Sequence, residues 1–203
     1  MGADAVELDV RRSADGHLVV HHDPHLADGR VIVRTTRVEL PAEVPLLDAA
    51  LDACRGMWVN VEIKNDPNEP DFDHTDDVAV MVADALGRRG EAVRFLVSSF
   101  RRETIDRFRS VAPDIGTAWL TPGIADDDMS EAFKSLRDAG HVAVHPWFGL
   151  VTKRFIDEAH TRGLMVNVWT CDDPTKMSEL HAFGVDGICT NVPDVALTAL
   201  RRG

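Results

Sequence analysis

The sequence predicts an α/β fold of the (β/α)8-barrel type, repeated βα units around a parallel sheet, with one strand and its helix missing. Three observations carry this. Short apolar runs alternate with longer amphipathic stretches along the whole chain, the pattern of strands joined by crossover helices. The 203 residues fill one domain but fall short of a complete eight-stranded barrel. No shift in composition marks off a second domain.

Strands are expected at residues 5–10, 58–63, 93–98, 117–120, 142–145, 165–170 and 187–190, where each apolar run is short and bounded by turn or charged residues. Helices are expected between them, at 76–88, 103–111, 127–139, 153–162, 175–183 and 194–200, several opened by Asp, Ser, Thr or Pro. These seven parallel-type strands do not close a barrel of eight, and the missing part needs about 30 residues. The shortfall is read at the N-terminus, where Met1-Gly2-Ala3-Asp4 leads straight into a strand pattern. Residues 1–203 are thus taken as a single domain, incomplete at its start. Residues 16–45 break the rhythm. They begin with His17-Leu18-Val19-Val20 and continue through turn residues and the mixed segment 31–39, an excursion off the barrel mouth.

Bulk properties exclude several functions. A formal net charge of −12 argues against nucleic acid and anionic membranes, which select clustered Lys and Arg; a small substrate, with a metal, fits better. Cys54, Cys171 and Cys189 are odd in number and scattered, so neither a disulfide framework nor a zinc cluster is expected. No apolar run reaches the roughly 20 residues of a membrane helix, and no signal-peptide pattern opens the chain. A cytoplasmic, soluble protein is the expectation.

In Val6-Glu7-Leu8-Asp9-Val10 the two acids are two residues apart. Side chains alternate faces along a strand, so Glu7 and Asp9 project together while Val6, Leu8 and Val10 take the other side. Val61-Glu62-Ile63-Lys64 repeats the device with Glu62 and Lys64. A barrel strand is covered on both faces, so inward carboxylates need a cation or hydrogen bonds. Three of them converging would suit a hard ion, Mg²⁺ or Ca²⁺. The alternative is exposed strand ends or a structural ion pair with Lys64. His21-His22-Asp23-Pro24 follows the apolar Leu18–Val20 stretch, placing imidazoles near the mouth, where one could move protons at neutral pH. His17, His25, His74, His141, His160 and His181 lack such context and read as surface or packing residues.

Gly2-Ala3-Asp4 through Glu7-Leu8-Asp9-Val10, then Asp15-Gly16 and Val20-His21-His22-Asp23-Pro24, resembles the glycerophosphodiester phosphodiesterases in order and spacing. Val61-Glu62-Ile63-Lys64, Ser99-Phe100, Val168-Trp169-Thr170 and the run from Gly184 to Thr190 continue the likeness over nearly the whole chain. The resemblance implies a barrel of the phospholipase C-like phosphodiesterase kind, with one divalent cation held by Glu7, Asp9 and Glu62. It implies His22 and Lys64 as catalytic residues, Lys64 also near the substrate phosphate, and Trp169 lining the pocket for the alcohol part. Without the resemblance Trp169 would read as a core aromatic.

The sequence departs from the family pattern twice. The family opens with a strand ending in His-Arg-Gly, then Pro-Glu-Asn; neither motif is present, and the absence reads as truncation or a start codon placed too late. Asn191 stands where the family usually has Asp. The implied activity is metal-dependent hydrolysis of a glycerophosphodiester to glycerol phosphate and an alcohol. Its rivals are a lipid phosphodiesterase of phospholipase D-like or phosphatidylinositol-cleaving type, a degenerate barrel that binds metal or phosphate without turnover, and an unrelated enolase-type lyase.

Overall fold

The computed structural model describes residues 2–200. The chain forms two compact units, one spanning Ala5–Gly116 and one built from Thr117 onward together with residues 2–4.

The first unit holds strands β1 (Ala5–Arg12), β2 (Leu18–Val20), β3 (Trp58–Ile63) and β4 (Phe95–Ser99), with helices α1 (Leu47–Ala53), α2 (Asp77–Arg89) and α3 (Arg102–Val111). Its strand order is β2-β1-β3-β4. The pairs β1·β3 and β3·β4 are parallel, whereas β2 folds back antiparallel on the end of β1. Alternation along the strands sorts the side chains: Val10, Val59, Val61, Ile63 and Val97 enter one apolar core with Val78, Val82 and Leu86 of α2. Those α2 residues recur every fourth position and form one helix face. Each fully buried aliphatic side chain there contributes about 1.5–3 kcal/mol. The helix stops at Gly90, which takes the left-handed conformation (φ 66°) that ends many helices.

Residues 16–45 carry a small core of their own, Val19, Leu26, Ile32, Leu40 and Val44, so the excursion is a packed structure. The segment opens with a tight turn in which Gly16 (φ 81°) donates its N–H to Ser13. Sequence periodicity did not anticipate β2 or α1. Three residues are too few for β2 to show alternation. Helix α1 has seven residues and follows Leu46 at its N-cap, whose side chain cannot cap it. A 3-10 turn at Ala92–Arg94 delays β4 to Phe95.

The second unit runs β5 (Gly116–Thr121), α4 (Met129–Asp138), β6 (Ala143–Pro146), α5 (Lys153–Thr161), β7 (Met165–Val168), α6 (Pro174–Phe183), β8 (Gly187–Ile188) and α7 (Pro193–Leu200). Strands β5-β6-β7-β8 are neighbours in that order and parallel. Its core centres on Phe133 and Phe155, packed edge to face with ring centroids 5.0 Å apart. Capping follows the sequence signals: Thr152 accepts from Phe155 N, and Asp173 accepts from Thr175 N and Lys176 N ahead of Pro174 at the first turn. No helix among the described residues is long and apolar enough to cross a membrane.

Candidate active site

Strands β1 and β3 build the centre of the site. Parallel pairing sets Asp9 opposite Glu62 and Glu7 opposite Asn60. With Leu8, Val10, Val61 and Ile63 committed to the helix-covered core, alternation turns Glu7, Asp9 and Glu62 to the opposite face. One carboxylate oxygen from each lies within 4.8 Å of the others. Lys64, whose N–H is held by Val10 O, reaches over the cluster. Its Nζ lies 2.9 Å from Asp9 Oδ1 and 2.7 Å from Glu62 Oε1. The ion pair weighed as an alternative from sequence is therefore present, but it accounts for only part of the negative charge. Glu7 Oε1 is buried with no hydrogen-bond partner, a costly state for a carboxylate oxygen. Three close carboxyl groups, one with a buried oxygen that has no hydrogen bond, fit a hard divalent cation.

The electrostatics reflect that excess. Glu7 is pushed up to about 8, first by burial and then by Asp9 and Glu62, with Lys64 opposing. Burial also raises Glu62, against the pull of Lys64. For Lys64 burial favours the neutral amine, but Glu62 and Asp9 outweigh it and hold the ammonium. A consequence follows for the cation-free protein. The folded Glu7 keeps its proton to about pH 8 while the unfolded carboxyl loses it near 4.5, so folding stability falls as pH rises through that window. Glu7→Gln is expected to flatten this slope and to stabilise the cation-free protein at pH 8.5 by about 2 kcal/mol, after discounting for partial exposure. Urea unfolding in chelator at pH 5.5 and 8.5 checks it.

The histidines stand beside β1. His21 N donates to Asp9 O at 3.0 Å, extending the β1·β2 hairpin by one more bond. His22 Nδ1 lies 2.7 Å from Asp23 Oδ1, and its side chain is 74% exposed. Its charge is felt at Glu62, where it favours the carboxylate. An Asp partner on Nδ1 leaves Nε2 as the nitrogen free to exchange a proton. His21 instead faces backbone, its Nδ1 lying 2.7 Å from Asp23 O.

Trp169 belongs to the second unit, just past the end of β7. It is half-buried, its Nε1 donates to His145 O at 2.7 Å, and its backbone bridges to Trp147. The strand expected to run to residue 170 ends at Val168. Asn167, on the same face, places Nδ2 2.9 Å from His145 Nε2.

The family model for the glycerophosphoryl diester phosphodiesterase family matches residues 1–195. The chain belongs to this family. Membership makes it a phosphodiesterase, and its fold class is α/β of the TIM-barrel type. The glycerophosphodiester phosphodiesterase of Bacillus altitudinis is 27% identical over 97% of this chain and 86% of its own length. Among solved structures, a Silicibacter pomeroyi protein classed with the same family superposes with a TM-score of 0.86 at 27% identity, covering 98% of this chain and 83% of that one. An Oleispira antarctica phosphodiesterase, solved with the product sn-glycerol-3-phosphate, shares the fold at a TM-score of 0.86 and 21% identity, over 98% of this chain and 86% of that one.

Two residues of this phosphodiesterase escaped the sequence reading. Arg11 falls on the face of Glu7 and Asp9 by simple alternation, yet it is 1% exposed and fully engaged in hydrogen bonds. His145 closes the strand expected at 142–145. It is 5% exposed, and burial holds its imidazole down to about 4, neutral at physiological pH. Its signal was a histidine in an otherwise apolar strand. Of the other histidines, His141 is a packing residue, buried against Thr117 Oγ1 at 2.7 Å.

Proposed function

We propose that this phosphodiesterase hydrolyses glycerophosphodiesters to glycerol phosphate and an alcohol, using one divalent cation, Mg²⁺ or Ca²⁺, held by Glu7, Asp9 and Glu62. The observation that carries the reading is the carboxylate triad itself, three ligand oxygens within 4.8 Å with Glu7 Oε1 unpartnered. When bound, the cation supplies positive charge for the phosphoryl oxygens as the diester is cleaved.

The chain's own residues do the rest. His22 Nε2 exchanges the proton: it gives one to the departing alcohol oxygen as its P–O bond breaks, or takes one from the water or neighbouring glycerol hydroxyl that forms the new P–O bond, while Asp23 holds the ring through Nδ1. A cyclic phosphate made by the glycerol hydroxyl is then opened by water. Lys64 keeps its ammonium at the edge of the cluster, paired with Asp9 and Glu62, and offers a donor to a phosphate oxygen once a cation takes those carboxylates. The family likeness assigns the alcohol part to Trp169, whose Nε1 donates to His145 O. A net charge of −12 disfavours polyanionic or membrane-bound substrates and leaves a small soluble diester. The cysteines are free, which suits a reducing compartment, and we place the reaction in the cytoplasm.

Incubation with sn-glycero-3-phosphocholine and Mg²⁺ or Ca²⁺ tests the reading. Glycerol phosphate should accumulate, and chelator should stop it reversibly. Absence of turnover with either cation would overturn the proposal, and turnover indifferent to chelator would remove the cation from it.

A further inference from the structure

We infer that Arg11 is a positioning residue that locks the backbone of His22 to the strand carrying Glu7 and Asp9, an inference that rests on the hydrolytic reading above. Arg11 lies two residues beyond Asp9 on β1 and is among the largest fully buried side chains. Its guanidinium joins three segments. Nε and Nη2 both donate to His22 O, at 3.0 and 2.6 Å. Nη1 donates to Glu69 Oε2 at 2.8 Å and to Asp71 Oδ2 at 2.7 Å, and Nη2 also reaches Glu69 Oε1 at 3.2 Å.

Two tethers thus hold the His-His-Asp-Pro loop to β1. His21 N binds Asp9 O, and the next carbonyl, His22 O, is gripped by Arg11. The imidazole of His22 projects into solvent, so packing does not orient it; its placement depends on where these tethers set its backbone. The acidic loop that completes the clamp is itself anchored. Asn65 Nδ2 donates to Asp73 O and Asp76 Oδ1, and Asn65 Oδ1 accepts from Asp73 N at 2.7 Å. Only a planar fork with five donors can serve a carbonyl and two carboxylates at once. Burying the guanidinium is tolerated because two carboxylates compensate it.

Arg11→Met alone would strand Asp71, whose side chain is 5% exposed, so the test variant adds Asp71→Asn, with Asp71→Asn alone as control; Glu69, 29% exposed, can be solvated. Relative to that control, kcat on sn-glycero-3-phosphocholine should fall about 10–100-fold, the scale of a sub-ångström to 1 Å misplacement, with KM and Ca²⁺ affinity within about threefold. In a His22→Ala background the same change should cost less than about twofold, since the clamp then has no imidazole to place. Arg11→Lys should lie between. An equal loss in both backgrounds, or one confined to KM or Ca²⁺ affinity, would overturn the inference while leaving the hydrolytic reading intact. A wild-type protein with no turnover would overturn both.

Discussion

Glu62→Gln is expected to lower kcat/KM for sn-glycero-3-phosphocholine by about 10³-fold or more, the loss of several kcal/mol of transition-state stabilisation. The substitution keeps the shape of the side chain and removes one anionic ligand. Glu62 is 7% exposed, lies opposite Asp9 across the β1·β3 ladder and pairs with Lys64. The same variant should lose the rise in melting temperature that the wild type shows on adding Mg²⁺ or Ca²⁺. That rise corresponds to about 2.7 kcal/mol at a cation concentration 100 times Kd. A general loss of folding would instead lower the melting temperature in chelator. Burial already raises the Glu62 carboxyl, so a neutral amide should leave the cation-free protein no less stable. Full activity in Glu62→Gln, or an undiminished response to cation, would remove Glu62 from the ligand set.

His22→Ala should cost about 10²–10⁴-fold in kcat, the usual contribution of one general acid or base. Stability should change by less than about 0.5 kcal/mol, because the side chain is exposed. Ca²⁺ affinity should stay the same, which separates this lesion from Glu62→Gln. His21→Ala, which removes a ring whose Nδ1 lies against the Asp23 carbonyl, should lose far less. The leaving group reports which proton His22 moves. If it protonates the departing alcohol, the deficit should shrink on a glycerophosphodiester of nitrophenol, an alcohol that leaves without a proton. If it serves only as the base for the attacking hydroxyl, the deficit should be the same on both substrates.

Much of the site was legible because a strand repeats every two residues. Glu7 and Asp9 had to share a face, as did Glu62 and Lys64, and the core taken by Leu8, Val10, Val61 and Ile63 determined which face it was. The meeting of the two pairs was not legible in the same way. It depends on the parallel register that sets Asp9 opposite Glu62, which local pattern does not give; the likeness to a family implied only that the three carboxylates share one cation. Arg11 lay on the right face by the same alternation, but its partners did not show: Glu69 and Asp71 are 58 and 60 residues away in sequence, and the third is a backbone carbonyl. Local pattern carries no trace of such a contact. The small core around Val19, Ile32 and Leu40 was missed for a related reason. Short segments bury those residues by converging from separated positions, so neither the period of a helix nor that of a strand appears.

The proposed reaction requires one cation bound jointly by residues from two adjacent strands. Long-wavelength anomalous diffraction from crystals soaked in Ca²⁺ examines that directly. A single strong peak should appear within about 2.3–2.6 Å of oxygens from Glu7, Asp9 and Glu62, with Lys64 Nζ withdrawn from at least one of its present partners. A peak coordinated without Glu62, or no peak in this cluster at saturating Ca²⁺, would contradict it.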